Sequence, residues 1–520
     1  MVTAILCTLL ILSPAPQDQQ RQGQQGQQGR RRTQTNRPAT PPAFDTQAAP
    51  AQPANSIQEI TPSITHHSIE LSSGTLKYTA QAAQIPLRND AGEVECRMFY
   101  VAYTKDDAQD RPVTFAFNGG PGSASLWLHM GALGPKRAPL NDDGSMPAPP
   151  YVAADNTETW LDFTDVVMID APNTGYSRIA RPDLASRYFG VRPDIQAFGN
   201  FVRTWLNEHH RWRSPIFIAG ESYGGIRGSG LSLQLLNEGI AINGFVSISG
   251  TSNFMTLDGM RGNDLTYMSF LPSMSACAMY HHRLGSRFTN VDSLVKEVQA
   301  WTDKEYMPAL ERGDSLTEAE KDHIAAKLSE YLGLPKDYCK DSNLRVPEFA
   351  FFRELLHDKR LAIGRYDGRL TGKQELGVPS GRGGGDPSDD AVSPPFTSAI
   401  NDYLDRDLGV HTDMTYNASG NVYPWSEPEG SYSETASDLR DALSKNQHMR
   451  VMYCCGYYDL ACPLNGTVYT VNHMGLDAET RSHISFAFYP AGHMMYIEKS
   501  SRIKLHNDVK AFEEACLAAK

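Results

Sequence analysis

The sequence predicts an α/β fold in which a mostly parallel central sheet is flanked by helices. Short apolar runs typical of buried strands occupy residues 112–117, 165–170 and 216–220, and a helical pattern over residues 194–210 separates the last two. Strand, loop, helix and strand in this order indicate βαβ units, which build parallel sheets. Alternating residues at 68–84 and 94–103 predict an antiparallel start to the sheet. Active residues of such a sheet belong at the carboxyl ends of its strands.

The stretch at residues 216–225, IFIAGESYGG, is the strongest functional signal. An apolar strand leads into Gly-x-Ser-x-Gly, and residues 226–236 can continue as a helix. A sharp strand-to-helix turn of this kind exposes the serine hydroxyl, and small flanking residues let the chain bend without a clash. Ser222 is therefore the first candidate nucleophile.

A glycine-rich segment, residues 118–125, follows the apolar run at 112–117. Such a loop can bring backbone N–H groups close to a reacting atom, and acyl transfer requires these donors where the oxyanion forms. An ordinary tight turn is the alternative interpretation. The serine motif downstream favours an oxyanion-binding loop.

Composition excludes several other classes of function. The chain has 520 residues and a formal net charge of −12, which argues against nucleic acid or an anionic membrane surface as the partner. Nothing resembles a phosphate-binding loop, and no Cys-x-x-Cys is matched by a His pair, so we expect neither a metal nor a cofactor. Seven cysteines follow Cys7, an odd number that allows one or two disulfides. Adjacent Cys454 and Cys455 lie on an apparent core strand, where at least one is expected to be a buried thiol.

The amino-terminal region predicts export. Residues 2–12 form an apolar run too short to span a bilayer, and Ser-Pro-Ala follows, so residues 1–15 are interpreted as a signal peptide of a periplasmic or secreted protein with no membrane span after its removal. The usual positive segment is missing, which leaves a mis-set start codon or a buried apolar segment as alternatives. Residues 16–55, rich in Gln, Arg and Pro, are predicted to be a disordered linker.

The folded part divides into a core interrupted by an insertion. Residues 56–254 and 441–520 are predicted to form the core, closed by a helix over 500–519, and residues 255–440 a helical cap over the site. Within the cap, helical patterns cover 291–301, 316–332 and 346–356. Residues 377–395, rich in Gly, Pro, Ser and Asp without periodicity, predict a mobile loop.

Five blocks of sequence, in register, resemble the successive signatures of the serine carboxypeptidase family, peptidase family S10. They are residues 118–122 (NGGPG), 169–177 (IDAPNTGYS), 220–225 (GESYGG), 459–462 (DLAC) and 492–494 (GHM). With fewer cysteines than the eukaryotic secreted enzymes, the chain resembles the bacterial branch. The resemblance implies the α/β-hydrolase fold with a cap inserted before the late strands.

The remaining members of a catalytic triad occur where that fold would place them. Asp459 follows an apolar run at 448–456 and His493 follows another at 484–489, which completes the chain order Ser, Asp, His of α/β-hydrolases. Asp459 would orient His493, and His493 would take the Ser222 proton and return it to the leaving amine. From spacing alone Asp170 competes for the acid role. The family resemblance gives that role to Asp459 and leaves Asp170 to fix its loop to Arg178 or to neighbouring backbone.

Further site residues are implied by the resemblance. The N–H groups of Gly120 and Tyr223 would form the oxyanion hole, and Asn118 and Glu221 would bind the free C-terminal carboxylate of a peptide. Two close carboxylates cannot both stay ionised, so activity should be best in mildly acidic solution and fall as pH rises. Met494 would line the pocket for the terminal side chain, with neutral packing as the alternative.

One departure from the family affects the carboxylate site. Eukaryotic members usually carry a second glutamate in a Glu-x-Gly-Pro segment, and Ala132 stands in its place here. The hydrogen-bond network behind Glu221 must therefore differ.

The sequence thus predicts an exopeptidase that releases C-terminal residues through an acyl-enzyme on Ser222. An esterase or acyltransferase with the same triad is the alternative, because plant relatives transfer acyl groups. A non-catalytic binding protein on this scaffold is disfavoured, since all triad positions are filled.

Overall fold

The structure is a computed structural model that describes residues 57–374, 385–427 and 432–518. The signal peptide predicted at 1–15 and the linker predicted at 16–55 lie outside these residues. Within the described ranges no helix is long and apolar enough to cross a bilayer.

A ten-stranded sheet lies at the centre of the described residues, and two small strand pairs, β5 with β6 and β11 with β12, lie apart from it. In chain order the strands are β1 (Ser63–Leu71), β2 (Gly74–Arg88), β3 (Val94–Lys105), β4 (Val113–Phe117), β5 (Lys136–Arg137), β6 (Ala154–Asp155), β7 (Asp165–Ile169), β8 (Arg178–Ile179), β9 (Ile216–Glu221), β10 (Gly244–Ile248), β11 (Leu361–Ile363), β12 (Thr371–Lys373), β13 (Arg450–Gly456) and β14 (Ile484–Tyr489).

The main sheet has the order β1-β2-β3-β7-β4-β9-β10-β13-β14, with β8 paired to β3. Strands β1 to β3 run antiparallel, β3 also pairs antiparallel with β7, and every neighbour from β7 to β14 is parallel. This arrangement confirms the mostly parallel sheet with an antiparallel start. The stretch at 68–84 is not one strand, because a tight turn at residues 72–73, followed by Gly74 with φ of 113°, folds it into the β1–β2 hairpin.

Helices cover the sheet and fill the long insertion. They are α1 (Leu126–Leu128), α2 (Ala185–Tyr188), α3 (Val191–Glu208), α4 (Gly224–Asn237), α5 (Leu265–Tyr280), α6 (Val291–Trp301), α7 (Met307–Arg312), α8 (Glu318–Leu332), α9 (Lys336–Asp341), α10 (Glu348–Glu354), α11 (Pro387–Asp402), α12 (Ala436–Lys445), α13 (Leu464–Asn472), α14 (Ala478–Arg481) and α15 (Lys499–Ala518).

Apolar clusters cover both faces of the sheet. On β4, Phe115 and Phe117 point into one cluster, which is shared with α3 and α4, whereas Ala116 points into the other, which is shared with α11 and α15. A strand buried on both faces needs a continuous apolar run, and this is why the short core strands could be located from sequence.

The insertion between β10 and β13 is largely helical, and α6, α8 and α10 correspond to the three helical patterns predicted there. The loop predicted over 377–395 is wrong from residue 387 onward, where α11 begins, and residues 377–384 of it lie outside the described residues. Pro387 suits a first helical position, and the side chain of Asp386 accepts a hydrogen bond from the Ser388 N–H. Burial of Val392, Phe396 and Ile400 stabilises a helix that the two internal prolines argued against.

All seven cysteines of the described residues are buried and free, so neither of the disulfides that the cysteine count allowed is present among them. Cys454 and Cys455 are both buried on β13, which confirms the expectation that at least one of them is a buried thiol. Burial raises the pKa of the Cys454 thiol to about 12, so it remains protonated as a small apolar group.

Candidate active site

Ser222 lies on the sharp turn between β9 and α4. Its φ of 62° is in the left-handed region, which a non-glycine residue adopts only where the surroundings enforce it. The glycines around it leave no room for side chains: a Cβ on Gly220 would lie 2.8 Å from the Gly224 carbonyl carbon, and one on Gly225 would lie 2.7 Å from the Thr251 nitrogen. The structure therefore has the strand-to-helix turn that the Gly-x-Ser-x-Gly pattern predicts.

Asp459 and His493 form a buried pair beyond the carboxyl ends of β13 and β14. His493 Nδ1 lies 2.9 Å from Asp459 Oδ2, while Asp459 Oδ1 accepts the N–H groups of Ala461 and Cys462 at 2.8 and 2.9 Å. Burial lowers the pKa of His493, but the Asp459 carboxylate and the nearby Glu221 together raise it above its ordinary value. With Nδ1–H held by Asp459, Nε2 is the nitrogen left to act as a base.

The structure brings Ser222 to the same edge of the sheet as this pair. Strands β9, β10, β13 and β14 are consecutive neighbours, so their carboxyl ends are adjacent. The Cys462 side chain lies beside Ser222, and the Cys462 backbone N–H donates to Asp459 Oδ1. Glu221, next to Ser222 in the chain, is close enough to His493 and Asp459 for both to affect its pKa.

The glycine loop after β4 packs directly against the start of α4. A Cβ on Gly119 would lie 2.6 Å from the Gly224 nitrogen, and Gly120 has a φ of 107°. Among the described residues, no protein acceptor takes the N–H of Gly120 or Tyr223. These two donors, predicted for the oxyanion hole, therefore lie on segments in contact and are available to a ligand.

Glu221 and Asn118 are both buried beside this loop. Asn118 Oδ1 accepts the Leu128 N–H at 2.9 Å, which orients the amide, and the same side chain lies close enough to Glu221 to lower its pKa. Burial raises the pKa of Glu221 to about 7, opposed by the charge of His493 and by a hydrogen bond from Tyr496. A carboxyl group with this pKa can be protonated near neutral pH and donate to another carboxylate.

Asp170, the competing acid, has a different set of partners. Its Oδ1 accepts the Ser125 N–H at 2.8 Å and the Tyr416 hydroxyl at 3.3 Å. Arg178 instead donates to the carbonyls of its own loop and of Thr415. Asp170 thus fixes its loop to neighbouring backbone, which was one of the two expectations, and the structure does not pair it with Arg178.

Ala132 and Met494 are both buried. Ala132 lies in a short helical turn, His129–Leu133, and offers no polar group to Glu221. Met494 is part of the apolar cluster shared with α15, and its role in lining a substrate pocket stays a prediction.

Two aromatic residues of the site were not found from sequence. The Tyr496 hydroxyl donates to Glu221 Oε2 at 2.6 Å. The Tyr366 carbonyl accepts the backbone N–H of His493 at 2.6 Å, and the centroid of the Tyr366 ring lies 5.4 Å from that of the His493 ring. Tyr366 belongs to the insertion and has no motif around it. The signal for Tyr496 was indirect, because the missing glutamate at position 132 implied that Glu221 has another partner.

Comparison with known proteins agrees with this architecture. The model of the serine carboxypeptidase family, peptidase S10, matches residues 90–501. Serine carboxypeptidase-like 45 of Arabidopsis thaliana is 25% identical over 179 residues, which cover 31% of this chain and 36% of that protein. Carboxypeptidase sxa2 of Schizosaccharomyces pombe is 26% identical over 183 residues, 34% of this chain and 32% of that protein. The alignments thus span about a third of the length of these relatives.

A solved structure extends the similarity in fold. The crystal structure of a prohormone-processing carboxypeptidase from Saccharomyces cerevisiae matches with a TM-score of 0.51 at 16% identity, over 84% of this chain and 91% of that one. The mixed, mostly parallel sheet with flanking helices is the α/β-hydrolase fold. The family match covers most of the sequence, and the chain belongs to the serine carboxypeptidase family.

Proposed function

We propose that this protein is a serine carboxypeptidase that removes the C-terminal residue of peptides through an acyl-enzyme on Ser222. Membership of the family supports the reaction class. The observation that carries the proposal is the buried Glu221, which precedes the serine directly and has a pKa of about 7. A protonatable acid next to a nucleophile can bind a free carboxylate at the end of a substrate.

In the proposed reaction the Ser222 hydroxyl attacks the last peptide carbonyl while His493 Nε2 takes its proton. The N–H groups of Gly120 and Tyr223 bind the oxyanion, and each such donor typically contributes about 3 kcal/mol. His493 then protonates the leaving amine as the C–N bond breaks, which leaves an ester on Ser222. Water hydrolyses this ester by the reverse proton movements. Asp459 stabilises the imidazolium in both halves of the cycle.

Substrate recognition supplies the pH dependence. Binding of the substrate carboxylate requires the protonated form of Glu221, which predominates below its pKa of about 7 and is lost as pH rises through that value. His493 must be neutral to act as a base, so its raised pKa limits activity on the acid side. We therefore expect a bell-shaped profile whose alkaline limb lies near pH 7 for peptides with a free C-terminus.

A panel of blocked dipeptides with free, amidated and esterified C-termini tests the proposal. It is assayed from pH 4 to 8 with wild type and Ser222→Ala, together with fluorophosphonate labelling. Wild type should cleave the free acid far better than the amide, and Ser222→Ala should lose at least about 10³-fold in kcat. Equal turnover of acid and amide, or preference for the ester at every pH, would replace the proposal with an esterase or acyltransferase. Absence of labelling would contradict an enzymatic role.

We further propose that the protein belongs to the bacterial branch, is exported by its amino-terminal segment and uses residues 255–440 as a cap. Free cysteines support the first point, and the apolar run at 2–12 supports the second. The contact of Tyr366 with His493 supports a cap next to the catalytic loop. Amino-terminal sequencing of the mature protein from the extracellular or periplasmic fraction tests export, and a chain that keeps residues 1–15 would contradict it.

A further inference from the structure

Tyr496 and Glu221 make a buried hydrogen bond to which the proposed reaction assigns no role. The Tyr496 hydroxyl donates to Glu221 Oε2 at 2.6 Å, and the two side chains are 1% and 3% exposed. Tyr496 lies three residues after His493, in the short turn Met495–Ile497. The phenol therefore connects the loop of the proposed base with the proposed carboxylate-binding acid.

Gly131 makes this contact sterically feasible. A Cβ at this position would overlap the Tyr496 ring at Cε2 and Cδ2. The neighbouring residue is Ala132, at the position of the second glutamate of eukaryotic relatives. In this chain Glu221 therefore contacts the neutral phenol of Tyr496 instead of a second glutamate at position 132. Gly131, next to that position, leaves room for the Tyr496 ring.

We propose that Tyr496 is a positioning residue for C-terminal recognition: its hydroxyl holds Glu221 Oε2 as an acceptor, so that the proton of Glu221 resides on Oε1 and is donated to the substrate carboxylate. This inference rests on the proposed carboxypeptidase function. A carboxylic acid carries its proton on one oxygen, and a hydroxyl donor occupies the other. A phenol can perform this role without adding a second titrating acid to the site.

The charged and polar groups that face Glu221 are His493, Asp459, Tyr496, Asn118 and Cys462. Burial raises the pKa of Tyr496 well above its ordinary value, so its hydroxyl stays a donor throughout the working pH range. Its hydrogen bond to the ionised Glu221 is one of the interactions that oppose the rise in the pKa of that carboxyl. Loss of the hydroxyl should therefore raise the pKa of Glu221 further.

Tyr496→Phe tests the inference with little change in shape. For a free-acid dipeptide, the alkaline limb of the kcat/KM profile should move to higher pH by about one unit. A hydrogen bond to a charged group typically contributes about 1.5 kcal/mol, and its loss should raise the pKa of Glu221 by about one unit. At pH 5 the KM of the free acid should rise about tenfold while turnover of the amide stays unchanged, since only carboxylate binding loses an ordered proton. An alkaline limb that coincides with that of wild type would overturn the inference, and so would an equal loss on acid and amide.

Two further variants separate this role from a general packing defect. Gly131→Ala should displace the Tyr496 ring and move the alkaline limb in the same direction. Tyr489→Phe is the matched control, since it removes another buried phenol, which donates to Asp508 Oδ2 at 2.8 Å, and it should leave the limb in place. If wild type itself fails to prefer the free acid, the proposed function fails. If wild type prefers it and Tyr496→Phe has no effect, only the role of Tyr496 fails.

Discussion

Burial and a charged partner favour opposite protonation states in two neighbouring groups of the site. Glu221 and His493 are both removed from water, yet Glu221 is held as a neutral acid by that burial, whereas His493 keeps its basicity because Asp459 stabilises its charged form. Pairs of groups whose environments favour different protonation states are how one site provides both an acid and a base near neutral pH. At this scale the chemistry depends on a few atoms and can be tested by isosteric replacement.

Glu221→Gln should abolish the fall of kcat/KM at alkaline pH for peptides with a free C-terminus. The amide keeps the acceptor for Tyr496 and a donor for the substrate but cannot ionise. Wild-type kcat/KM should fall about tenfold per pH unit above pH 7, whereas kcat/KM of the variant should show no such fall up to pH 8. The measurement is kcat/KM of a blocked free-acid dipeptide, with its ester as the control substrate. A fall of unchanged steepness in the variant would assign the limb to another group.

At the scale of elements, a buried arginine connects the two loops that form the site. Arg227 on α4 donates Nε to Asp194 on α3 at 2.7 Å and Nη1 to the Asn118 carbonyl at 2.6 Å. Its guanidinium also lies over the rings of Phe117 and Phe198. The position of the glycine loop relative to the serine turn thus depends on one side chain in the core.

Arg227→Met should lower the free energy of unfolding by about 3–5 kcal/mol, because Asp194 would be left as an uncompensated buried carboxylate. Urea unfolding at pH 7 measures the loss. Combining it with Asp194→Asn should recover part of the stability, since the double variant leaves no unpaired charge. A loss below about 1 kcal/mol for the single variant would mean that the pair is not needed for stability.

A second connection at this scale joins the insertion to the loop that carries His493. A Cβ on Gly492 would lie 2.6 Å from Cβ of Asp367, and Asp367 is itself held by Arg369, which donates to the Pro490 carbonyl at 2.9 Å. The loop that carries His493 therefore packs against the insertion without space for any side chain at position 492.

Gly492→Ala should lower kcat by about 100-fold while the protein stays folded, because a displacement of the proposed base, His493, by about 1 Å is expected to have an effect of this size. Steady-state kinetics and circular dichroism provide the two measurements. Gly285→Ala is the control, since no atom lies within 4 Å of the added Cβ there. Wild-type kcat in Gly492→Ala would show that the insertion does not position the loop.

Over the whole molecule, the last helix attaches to the centre of the sheet through a buried acid. Glu513 on α15 accepts a hydrogen bond from the Thr114 hydroxyl of β4 at 3.0 Å, and its other oxygen has no partner among the described residues. Burial raises its pKa to about 8. The folded state therefore binds this proton more tightly than the unfolded chain, so ionisation destabilises the fold as pH rises from about 4.5 to 8.

Glu513→Gln should stabilise the protein, and the gain should grow from pH 5 to pH 8. The expected gain at pH 8 is on the order of 2–4 kcal/mol, since each unit of pKa shift corresponds to about 1.4 kcal/mol. Thermal unfolding at several pH values measures it. Glu514→Gln removes a neighbouring exposed charge and should leave the pH dependence of stability unchanged. A gain independent of pH in Glu513→Gln would contradict the assignment.

The order of elements, the serine turn and the family could be predicted from the sequence because each depends on local patterns. A strand buried on both faces needs an apolar run, a turn with positive φ needs small neighbours, and the chain order of Ser222, Asp459 and His493 is visible in one dimension. Helix α11 was missed because its composition is that of a loop, and packing of its apolar face outweighed two internal prolines.

Contacts between distant segments were decided only by the tertiary structure. Tyr496 meets Glu221 across 275 residues of chain, and no local pattern encodes such a distance. Tyr366 behind His493 and Arg227 beneath Asn118 are likewise positioned by elements that meet only in the folded core. The sequence by itself determined which residue types the reaction could use. Folding determined their protonation, because the pKa values of Glu221 and His493 depend on burial and on partners that the chain brings together in three dimensions.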